Sequence, residues 1–134
     1  MIVLDASALT DWLLGTPARG PAVADEMRRA RHLHTLDFAD VEVVSALRRK
    51  AARRELDDRR ARQALSDLAE TPVRRHPASP LTPRIWQLRA NHSAYDAAYV
   101  ALAEVLSVPL ITTDHRLAGS RGHMARIVEA GSSA

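Results

Sequence analysis

The chain has 134 residues, and its 19 basic and 16 acidic side chains leave a formal net charge of +3. This length suits one domain, and an apolar content of 46% argues against disorder. The absence of cysteine excludes a disulfide scaffold, a thiol nucleophile and any cysteine-ligated zinc or iron–sulfur site.

The first half of the chain alternates strand-like and helical patterns. The apolar run Ile2-Val3-Leu4, which stops at Asp5, is typical of a buried strand. A helix capped by Ser7 is predicted to continue to Leu14, and Gly15 ends it. The next predicted elements are a helix from Pro21 to about Arg31, a strand from His32 to Leu36, a helix from about Asp37 to Arg54 and a helix capped by Asp57.

The second half repeats this alternation after a proline-rich loop. Its predicted elements are a strand from Val73 to His76, helices from Pro83 to Ala90 and from Ser93 to Leu106, a strand from Pro109 to Thr112 and a short strand at Ile127-Val128. Strands that alternate with helices imply a parallel sheet with helices on both faces. We therefore expect one α/β domain over residues 1–134, with three α/β/α layers and a central parallel sheet of about four or five strands.

Four of the acidic residues lie in apolar surroundings. Asp5 and Asp114 directly follow predicted strands, Glu42 is surrounded by valines, and Asp96 lies in an apolar helical segment. The carboxyl ends of parallel strands share one edge of a sheet, so the two strand-end carboxylates would face one crevice that the helices complete. Converging carboxylates repel each other unless a cation binds them, and all-oxygen ligands favour Mg²⁺ or Mn²⁺ over Zn²⁺.

Three of these carboxylates also have a structural explanation. Ser93 and Asp96 have the spacing of a helix capping box, Asp114 could begin a turn, and Asp5 could cap the first helix from outside. Glu42 has the weakest structural explanation, because apolar side chains flank it on both sides. The joint placement of all four residues favours a metal site.

Two hydroxyl side chains each lie two residues from a strand-end carboxylate. Ser7 follows Asp5, and Thr112 precedes Asp114. Ser7 is expected either to hydrogen-bond Asp5 or a metal-bound water, or to serve as an ordinary helix cap, and the two roles are compatible.

Arginine dominates the basic residues, because Lys50 is the single lysine among the 19. Guanidinium groups match phosphate oxygens, which makes a phosphate-bearing partner plausible. A GC-rich genome would also place arginine where others have lysine. The densest charge run, Arg48 to Arg62, fits either a solvated helical surface or an RNA-facing patch.

Four segments together resemble the PIN domain, and the short form of the chain is similar to the VapC toxins of bacterial toxin–antitoxin pairs. The segments are Ile-Val-Leu-Asp-Ala-Ser at residues 2–7, Val-Glu-Val-Val-Ser-Ala-Leu-Arg-Arg at 41–49, Ala-Tyr-Asp-Ala-Ala-Tyr-Val-Ala-Leu-Ala at 94–103 and Leu-Ile-Thr-Thr-Asp at 110–114. The resemblance implies a metal-dependent endoribonuclease. Its acidic residues would be Asp5, Glu42, Asp96 and Asp114, and its active-site hydroxyls would be Ser7 and Thr112.

The implied chemistry is metal-assisted hydrolysis of an RNA phosphodiester. Mg²⁺ held by Asp5 and Asp96 would polarise a phosphate oxygen and acidify a bound water, while Asp114 and Glu42 complete the cluster, orient that water or hold a second ion. The expected products carry 5′-phosphate and 3′-hydroxyl ends. The candidates for contacts with the RNA backbone are Arg84, Arg89, Asn91 and the Arg48–Arg54 face, all of which are equally compatible with a solvated surface.

The resemblance also implies a small antitoxin partner and a homodimer. Trp12, Leu13 and Leu14 would either line the groove that receives the antitoxin or pack in the core. An antitoxin arginine that reaches the acidic cluster would compete with Mg²⁺. A basic segment is missing at the N-terminus and no apolar run is long enough to span a bilayer, so we expect a cytoplasmic protein.

The chain departs from the family pattern at two places. Many relatives carry a further acidic residue just after the last aspartate, where this chain has His115-Arg116-Leu117. A proline often precedes the helix that bears the glutamate, and Leu36 occupies that place. The four principal acidic residues are unaffected.

Three other functions fit parts of the sequence. Two of the six histidines could act as general base and acid, since His92 and His115 lie near predicted acidic ligands. An aspartyl phosphatase of the haloacid dehalogenase type would use Asp5 as nucleophile, but Ser7 stands where that motif needs a second aspartate. A catalytically silent RNA-binding or partner-binding module would not need all four acidic residues.

Overall fold

The computed structural model describes residues 1–132, so the last two positions of the expected domain lie outside the described residues. Its elements, in chain order, are β1 (Ile2–Leu4), α1 (Ala6–Leu14), α2 (Arg19–Arg29), β2 (Leu33–Leu36), α3 (Ala39–Ala52), α4 (Asp58–Glu70), β3 (Val73–His76), α5 (Thr82–Gln87), α6 (Ala94–Leu106), β4 (Leu110–Thr112), α7 (His115–Ala118) and β5 (Ile127–Glu129), with a short 3₁₀ turn at Ser79–Leu81.

The five strands form one parallel sheet in the order β3-β2-β1-β4-β5. Val3 of β1 lies opposite His34 of β2 on one side and Leu110 of β4 on the other. The chain therefore proceeds in one direction from β1 to β3 and in the opposite direction from β4 to β5. The boundary between β1 and β4 is the point where the strand order reverses, and ligands of open α/β sheets bind beside such a boundary.

Helices cover both faces of the sheet, which confirms the predicted three-layer architecture. Helices α1 to α4 pack against one another, while α5 packs on α6 and α6 packs on β1, β2 and β4. The two central strands β1 and β4 are short, mostly apolar and fully buried, as expected for a sheet that is covered on both sides, whereas the edge strand β3 carries Arg74, Arg75 and His76. Leu4, Leu110 and Ile111 are completely or almost completely buried and form the centre of the core.

The first helix begins two residues earlier than predicted, and its cap is Asp5 rather than Ser7. Asp5 has an extended backbone, and its carboxylate accepts a hydrogen bond of 2.8 Å from the N–H of Ala8. Ser7 lies inside the helix. Both residue types cap helices well, and Asp5 takes the position because it directly follows the last residue of β1.

Several other boundaries differ from the prediction by one to three residues; for example, α2 begins at Arg19 rather than at Pro21. Helix α5 ends at Gln87 rather than at Ala90. The single turn α7 was not predicted, because four residues are too few for a helical periodicity. The Asp57 cap and the bounds of β3 agree with the prediction, as does α6 with its Ser93 cap.

The turn between α1 and α2 is closely packed. Gly15 ends α1 in a left-handed conformation with φ of 61°. Three residues later, Ala18 has φ of 66° and ψ of −54°, and the N–H of Arg19 donates 2.8 Å to the carbonyl of Pro17 across it. A side chain at Gly20 would lie 2.8 Å from the carbonyl oxygen of Asp11. The turn is thus held against the end of α1.

Candidate active site

Asp5 lies at the floor of a cleft at the carboxyl edge of the sheet, directly after β1. Its side chain is buried and accepts hydroxyl hydrogen bonds of 2.7 Å from Ser7 and 2.5 Å from Thr112. Burial raises the pKa of Asp5 from 3.8 to about 6, although the hydrogen bonds from Thr112, Ala8 and Ser7 oppose this shift. The structure therefore brings both predicted hydroxyls onto the predicted carboxylate.

Thr112 and Ser7 also tie the end of β4 to α1. The N–H of Asp114 donates 3.0 Å to the hydroxyl oxygen of Thr112, and the N–H of Thr113 donates 3.2 Å to that of Ser7. These bonds hold the two strand ends that flank the reversal of strand order. The spacing between Asp5 and the loop that carries Asp114 is thereby fixed.

Asp96 and Asp114 face each other beside Asp5. Asp114 caps α7 and accepts from the N–H of Arg116 at 2.9 Å. Ser93 caps α6 by accepting from the N–H of Asp96, and the carboxylate of Asp96 lies 3.2 Å from the guanidinium of Arg116. The same guanidinium is 3.5 Å from Asp114. Burial raises the pKa of Asp96, Arg116 lowers it and Asp114 raises it.

Glu42 enters the cleft from the first turn of α3. Its carboxylate accepts a 2.7 Å hydrogen bond from the hydroxyl of Tyr99, a residue of α6 that is almost completely buried. Burial raises the pKa of Glu42, the bond from Tyr99 lowers it, and the charge of Asp96 raises it. The pKa of Tyr99 is raised by burial and then by Glu42, so this hydroxyl keeps its proton. It is a fixed donor.

The cleft has a volume of about 400 Å³, an acidic floor and a partly basic rim. All four predicted carboxylates line it. The basic residues in its wall come from α3 and from the start of α2, namely Arg49, Lys50 and Arg19. Part of the Arg48–Arg54 face is thus adjacent to the acidic residues. Another residue of the charge run is structural, since Arg60 donates 2.7 Å to the carbonyl of Leu13.

Three further cleft residues were not predicted from the sequence. Asp11 is buried and accepts a 2.6 Å hydrogen bond from the hydroxyl of Thr113, and its carboxylate is 3.7 Å from the guanidinium of Arg19. Asp11 follows Ser7 by four residues, so helical spacing places both on one face of α1. That spacing was the sequence signal from which Asp11 could have been predicted as a cleft residue.

The predicted RNA contacts outside α3 do not line this cleft. Arg84 forms two hydrogen bonds with Glu104, of 2.8 and 2.9 Å, near the far end of α6. The guanidinium of Arg89 stacks on Trp86 at 4.1 Å from the ring centre. Asn91 is exposed beside Gly122. A role in RNA binding stays a prediction for these three residues.

The remaining sequence hypotheses receive little support from the geometry. Among residues 1–132, histidine does not line the cleft, which disfavours a histidine pair as general acid and base. His92 instead contacts Ser120 at 2.9 Å. Leu13 is buried and Trp12 packs against the core. Both observations favour core packing over an antitoxin groove for residues 12–14.

The donor set fits a hard divalent cation with an open coordination sphere. The side chains that line the floor offer carboxylate and hydroxyl oxygens, and a positive group already lies between Asp96 and Asp114. Within residues 1–132, no group of three or more acidic or histidine side chains is arranged to hold one metal ion without further ligands. Mg²⁺ commonly takes one or two protein carboxylates and keeps several waters, so an open arrangement suits it.

Comparison with known proteins identifies the family. The PIN domain family matches residues 2–120. The chain belongs to the PIN domain family. It is 48% identical to Ribonuclease VapC12 of Mycobacterium tuberculosis over 127 residues, which cover 95% of this chain and 97% of the relative. It is also 44% identical to VapC ribonuclease Mb0985 of Mycobacterium bovis, over 87% of this chain and 88% of the relative.

Two solved structures share the fold of this PIN domain. The crystal structure of M. tuberculosis VapC20, described as a sarcin–ricin loop cleaving toxin, superposes with a TM-score of 0.69 at 18% identity and covers 90% of this chain and 97% of that one. The structure of PAE2754 from Pyrobaculum aerophilum gives a TM-score of 0.71 at 21% identity, covering 94% and 81%. The predicted family and fold are confirmed, and so is the predicted nuclease class at the level of the family. Within the described residues, helices are too short or too polar to cross a membrane.

Proposed function

We propose that this PIN domain is an Mg²⁺-dependent endoribonuclease, with Mn²⁺ as an alternative ion, and that it acts as the toxin of a toxin–antitoxin pair. The convergence of Asp5, Glu42, Asp96 and Asp114 on one cleft is the observation that carries the proposal. The relatives named as VapC ribonucleases support it, because they align with nearly the whole chain.

Each acidic residue has a distinct environment and hence a distinct proposed role. Asp5 and Asp96 would hold the cation, with Asp114 completing the site. When bound, a divalent cation neutralises phosphate charge and acidifies a coordinated water. Glu42 would accept the proton of the attacking water, because the hydroxyl of Tyr99 fixes the orientation of its carboxylate. Ser7 and Thr112 would hold Asp5.

The proposed reaction is a hydrolysis. The water oxygen forms a bond to phosphorus, the bond between phosphorus and O3′ breaks, and O3′ takes up a proton. The products are a 5′-phosphate and a 3′-hydroxyl. The 2′-hydroxyl takes no part, so preference for RNA would come from the shape of the strand and from contacts around the cleft.

The test compares cleavage of total RNA by wild type, Asp96→Asn and Asp67→Asn in Mg²⁺. Asp67 is a matched control because it lies on α4, bonded to Gln63, and does not line the cleft. We expect Asp96→Asn to lose at least about a hundredfold in rate and Asp67→Asn to keep the wild-type rate. Sequencing of 5′-monophosphate ends identifies the products. Cleavage that survives excess EDTA, or persists in Asp96→Asn, would contradict the proposal.

The proposed partners are RNA, a VapB-like antitoxin and a second copy of the chain, in the cytoplasm. The guanidinium of Arg116 lies between Asp96 and Asp114, which supports the proposal that this pair can bind a guanidinium. An arginine of the antitoxin would then compete with Mg²⁺ for the same two carboxylates. Light scattering of the purified chain tests the dimer: a mass near twice 14.7 kDa is expected, and a mass near 14.7 kDa would contradict it.

A further inference from the structure

Arg19 lies at the rim of the cleft, and neither the proposed metal binding nor the proposed hydrolysis uses its side chain. Its guanidinium is 3.7 Å from Asp11 on one side, and the side chain is 49% exposed. It also lines a second, neighbouring pocket that contains His115 and Glu129. The group therefore lies between two pockets, with several of its donors open to solvent.

The backbone before Arg19 is strained. Ala18 has φ of 66° and ψ of −54°, and the 2.8 Å bond across it closes a γ-turn of the rare positive-φ type. Such a conformation costs about 1–3 kcal/mol and persists only where the surroundings enforce it. Here the enforcing contacts are the close approach of Gly20 to the end of α1 and the bond of 2.7 Å from its N–H to Thr16. The strained turn sets the direction in which Arg19 leaves the backbone.

Asp11 connects Arg19 to the floor of the cleft. The carboxylate oxygen that faces Arg19 also accepts the 2.6 Å bond from Thr113. The N–H of Thr113 donates to Ser7, and Ser7 donates to Asp5. An ion pair between Arg19 and Asp11, followed by hydrogen bonds through Thr113 and Ser7, thus connects the guanidinium to the proposed metal ligand. This oxygen of Asp11 thus has two partners, Arg19 and Thr113.

The electrostatics of the cleft explain why a cation is needed at this rim. The acidic floor repels RNA phosphates, and Arg49 and Lys50 offset this repulsion from the α3 wall. Arg19 is the basic residue among the described cleft residues that comes from the opposite, α1–α2 side. A strand that crosses the acidic floor would then have a cationic group on each side.

We propose that Arg19 binds an RNA phosphate adjacent to the scissile one, and that Asp11 is a positioning residue that holds Arg19 in place. This inference rests on the proposed ribonuclease function of the cleft. A guanidinium can bind a phosphate through two parallel hydrogen bonds, which fixes the register of the strand as well as its affinity. The neighbouring pocket is the path by which the strand leaves the site on this side.

The first test measures binding of a fluorescein-labelled single-stranded RNA of about 12 nucleotides by anisotropy, with Ca²⁺ in place of Mg²⁺. We expect Arg19→Gln to raise the Kd about tenfold and to reduce the slope of log K against log salt by about 0.7, the value of one lost phosphate contact. Arg28→Gln is the matched control, since Arg28 is an exposed residue of α2 paired with Asp25. If Arg19→Gln binds RNA like Arg28→Gln, the proposal is overturned.

The second test separates positioning from metal binding. We expect Asp11→Asn to weaken RNA binding as Arg19→Gln does, and the double variant to be no worse than Arg19→Gln alone. The affinity for Mn²⁺, measured by electron paramagnetic resonance of the free ion, should be unchanged in Asp11→Asn and reduced in Asp5→Asn. Additive losses of RNA affinity, or weakened Mn²⁺ binding by Asp11→Asn, would refute the role given to Asp11.

The two proposals fail in different ways. If wild-type protein leaves RNA intact in Mg²⁺ while Arg19→Gln still weakens RNA binding, the ribonuclease proposal fails and the phosphate contact stands.

Arg19→Lys adds a test that does not depend on the folding of Asp11→Asn. Lysine keeps the positive charge but lacks the planar guanidinium that makes two parallel hydrogen bonds to a phosphate. The Kd of this variant should therefore lie between those of wild type and Arg19→Gln. A Kd equal to that of Arg19→Gln would contradict the charge argument.

Discussion

Asp5 combines a structural and a chemical role in one side chain. It caps α1, accepts two hydroxyl hydrogen bonds and is 4% exposed. Its raised pKa means that the fold disfavours the charged form, which is also the form that binds a cation. The protein therefore stores unfavourable free energy at this position in the absence of metal.

This cost predicts that Asp5→Asn stabilises the metal-free protein while it removes activity. Because the folded pKa is about 6 and the ordinary value is 3.8, the contribution of Asp5 to stability is full below pH 3.8 and is lost as the pH rises through 6. The free energy of unfolding of Asp5→Asn should exceed that of wild type by on the order of 2 kcal/mol at pH 8, and by much less at pH 4.

Urea denaturation in EDTA at both pH values measures this difference, with Asp25→Asn as an exposed control. Added Mg²⁺ should raise the Tm of wild type more than that of Asp5→Asn. If the difference in free energy of unfolding between wild type and Asp5→Asn is the same at both pH values, burial of the ionised carboxylate does not destabilise the metal-free protein.

The hydroxyl of Tyr99 offers a second residue-scale prediction. Its hydrogen bond lowers the pKa of Glu42 against the effect of burial, so Tyr99→Phe should raise that pKa. The acidic limb of the pH–rate profile would then move to higher pH, and the rate at neutral pH would fall about tenfold. Cleavage of a labelled RNA across pH 5 to 8 measures both effects. A reduced rate with an unmoved acidic limb would contradict a role through Glu42.

At the scale of elements, the turn between α1 and α2 depends on Gly20. A Cβ atom there would lie 2.8 Å from the carbonyl of Asp11 and 2.9 Å from the backbone of Gly15, and backbone atoms cannot move aside cheaply. We expect Gly20→Ala to lower the free energy of unfolding by about 1–3 kcal/mol and to weaken RNA binding, because Arg19 follows the same turn.

Gly119→Ala is the control for this prediction. A Cβ at Gly119 would meet its nearest neighbour, the carbonyl of His115, at 3.7 Å, which is an ordinary contact. Thermal denaturation and RNA anisotropy on both variants give the comparison. Equal stability of the two alanine variants would mean that the turn can relax around Gly20.

Most of the elements could be predicted from the sequence because their signals are local. Apolar runs that end at a carboxylate identified β1 and β4, and Asp57 and Ser93 cap α4 and α6 as expected. The start of α1 was misassigned because Asp5 and Ser7 are both good caps and local spacing does not distinguish them. The strained conformation at Ala18 could not be predicted, since it results from packing against α1.

At the scale of the whole molecule, the His34–His76 pair makes stability depend on pH. Nδ1 of His34 on β2 lies 2.8 Å from Nε2 of His76 on β3, and Nε2 of His34 has no hydrogen-bond partner among residues 1–132. Burial, followed by the charges of His76 and Arg74, lowers the pKa of His34. The unfolded chain therefore binds a proton near pH 6.5 that the folded chain resists, and stability should fall as the pH drops below that value.

The comparison of wild type with His34→Gln in urea, from about pH 7.5 to pH 5, tests this dependence. The variant should lose less stability over this interval than wild type. His115→Gln serves as control, because His115 is exposed and Glu129 raises its pKa, which gives the opposite sign. If His34→Gln and wild type lose stability equally, His34 accepts its proton in the folded state.

The site was only partly predictable because it is assembled from distant parts of the chain. The four carboxylates were recognisable as charged residues in apolar segments. Asp11 and Thr113 were not, because they are joined by a hydrogen bond between residues about a hundred positions apart. Arg19 was not, because its ion pair with Asp11 depends on the turn between α1 and α2. Arg84 was a reasonable candidate by charge, but its partner Glu104 lies twenty residues away in the sequence.

The strand order has a consequence for the order of synthesis. Asp5 is translated more than a hundred residues before Thr112, its hydrogen-bond partner at the end of β4, and before Asp114, which follows β4. At roughly 5–20 residues per second, the growing chain spends several seconds with an incomplete cleft. A chain released before β4 lacks Asp114, one of the four acidic residues of the cleft, and the hydroxyl of Thr112 that bonds Asp5. Chains that end before Asp114 should therefore leave RNA intact.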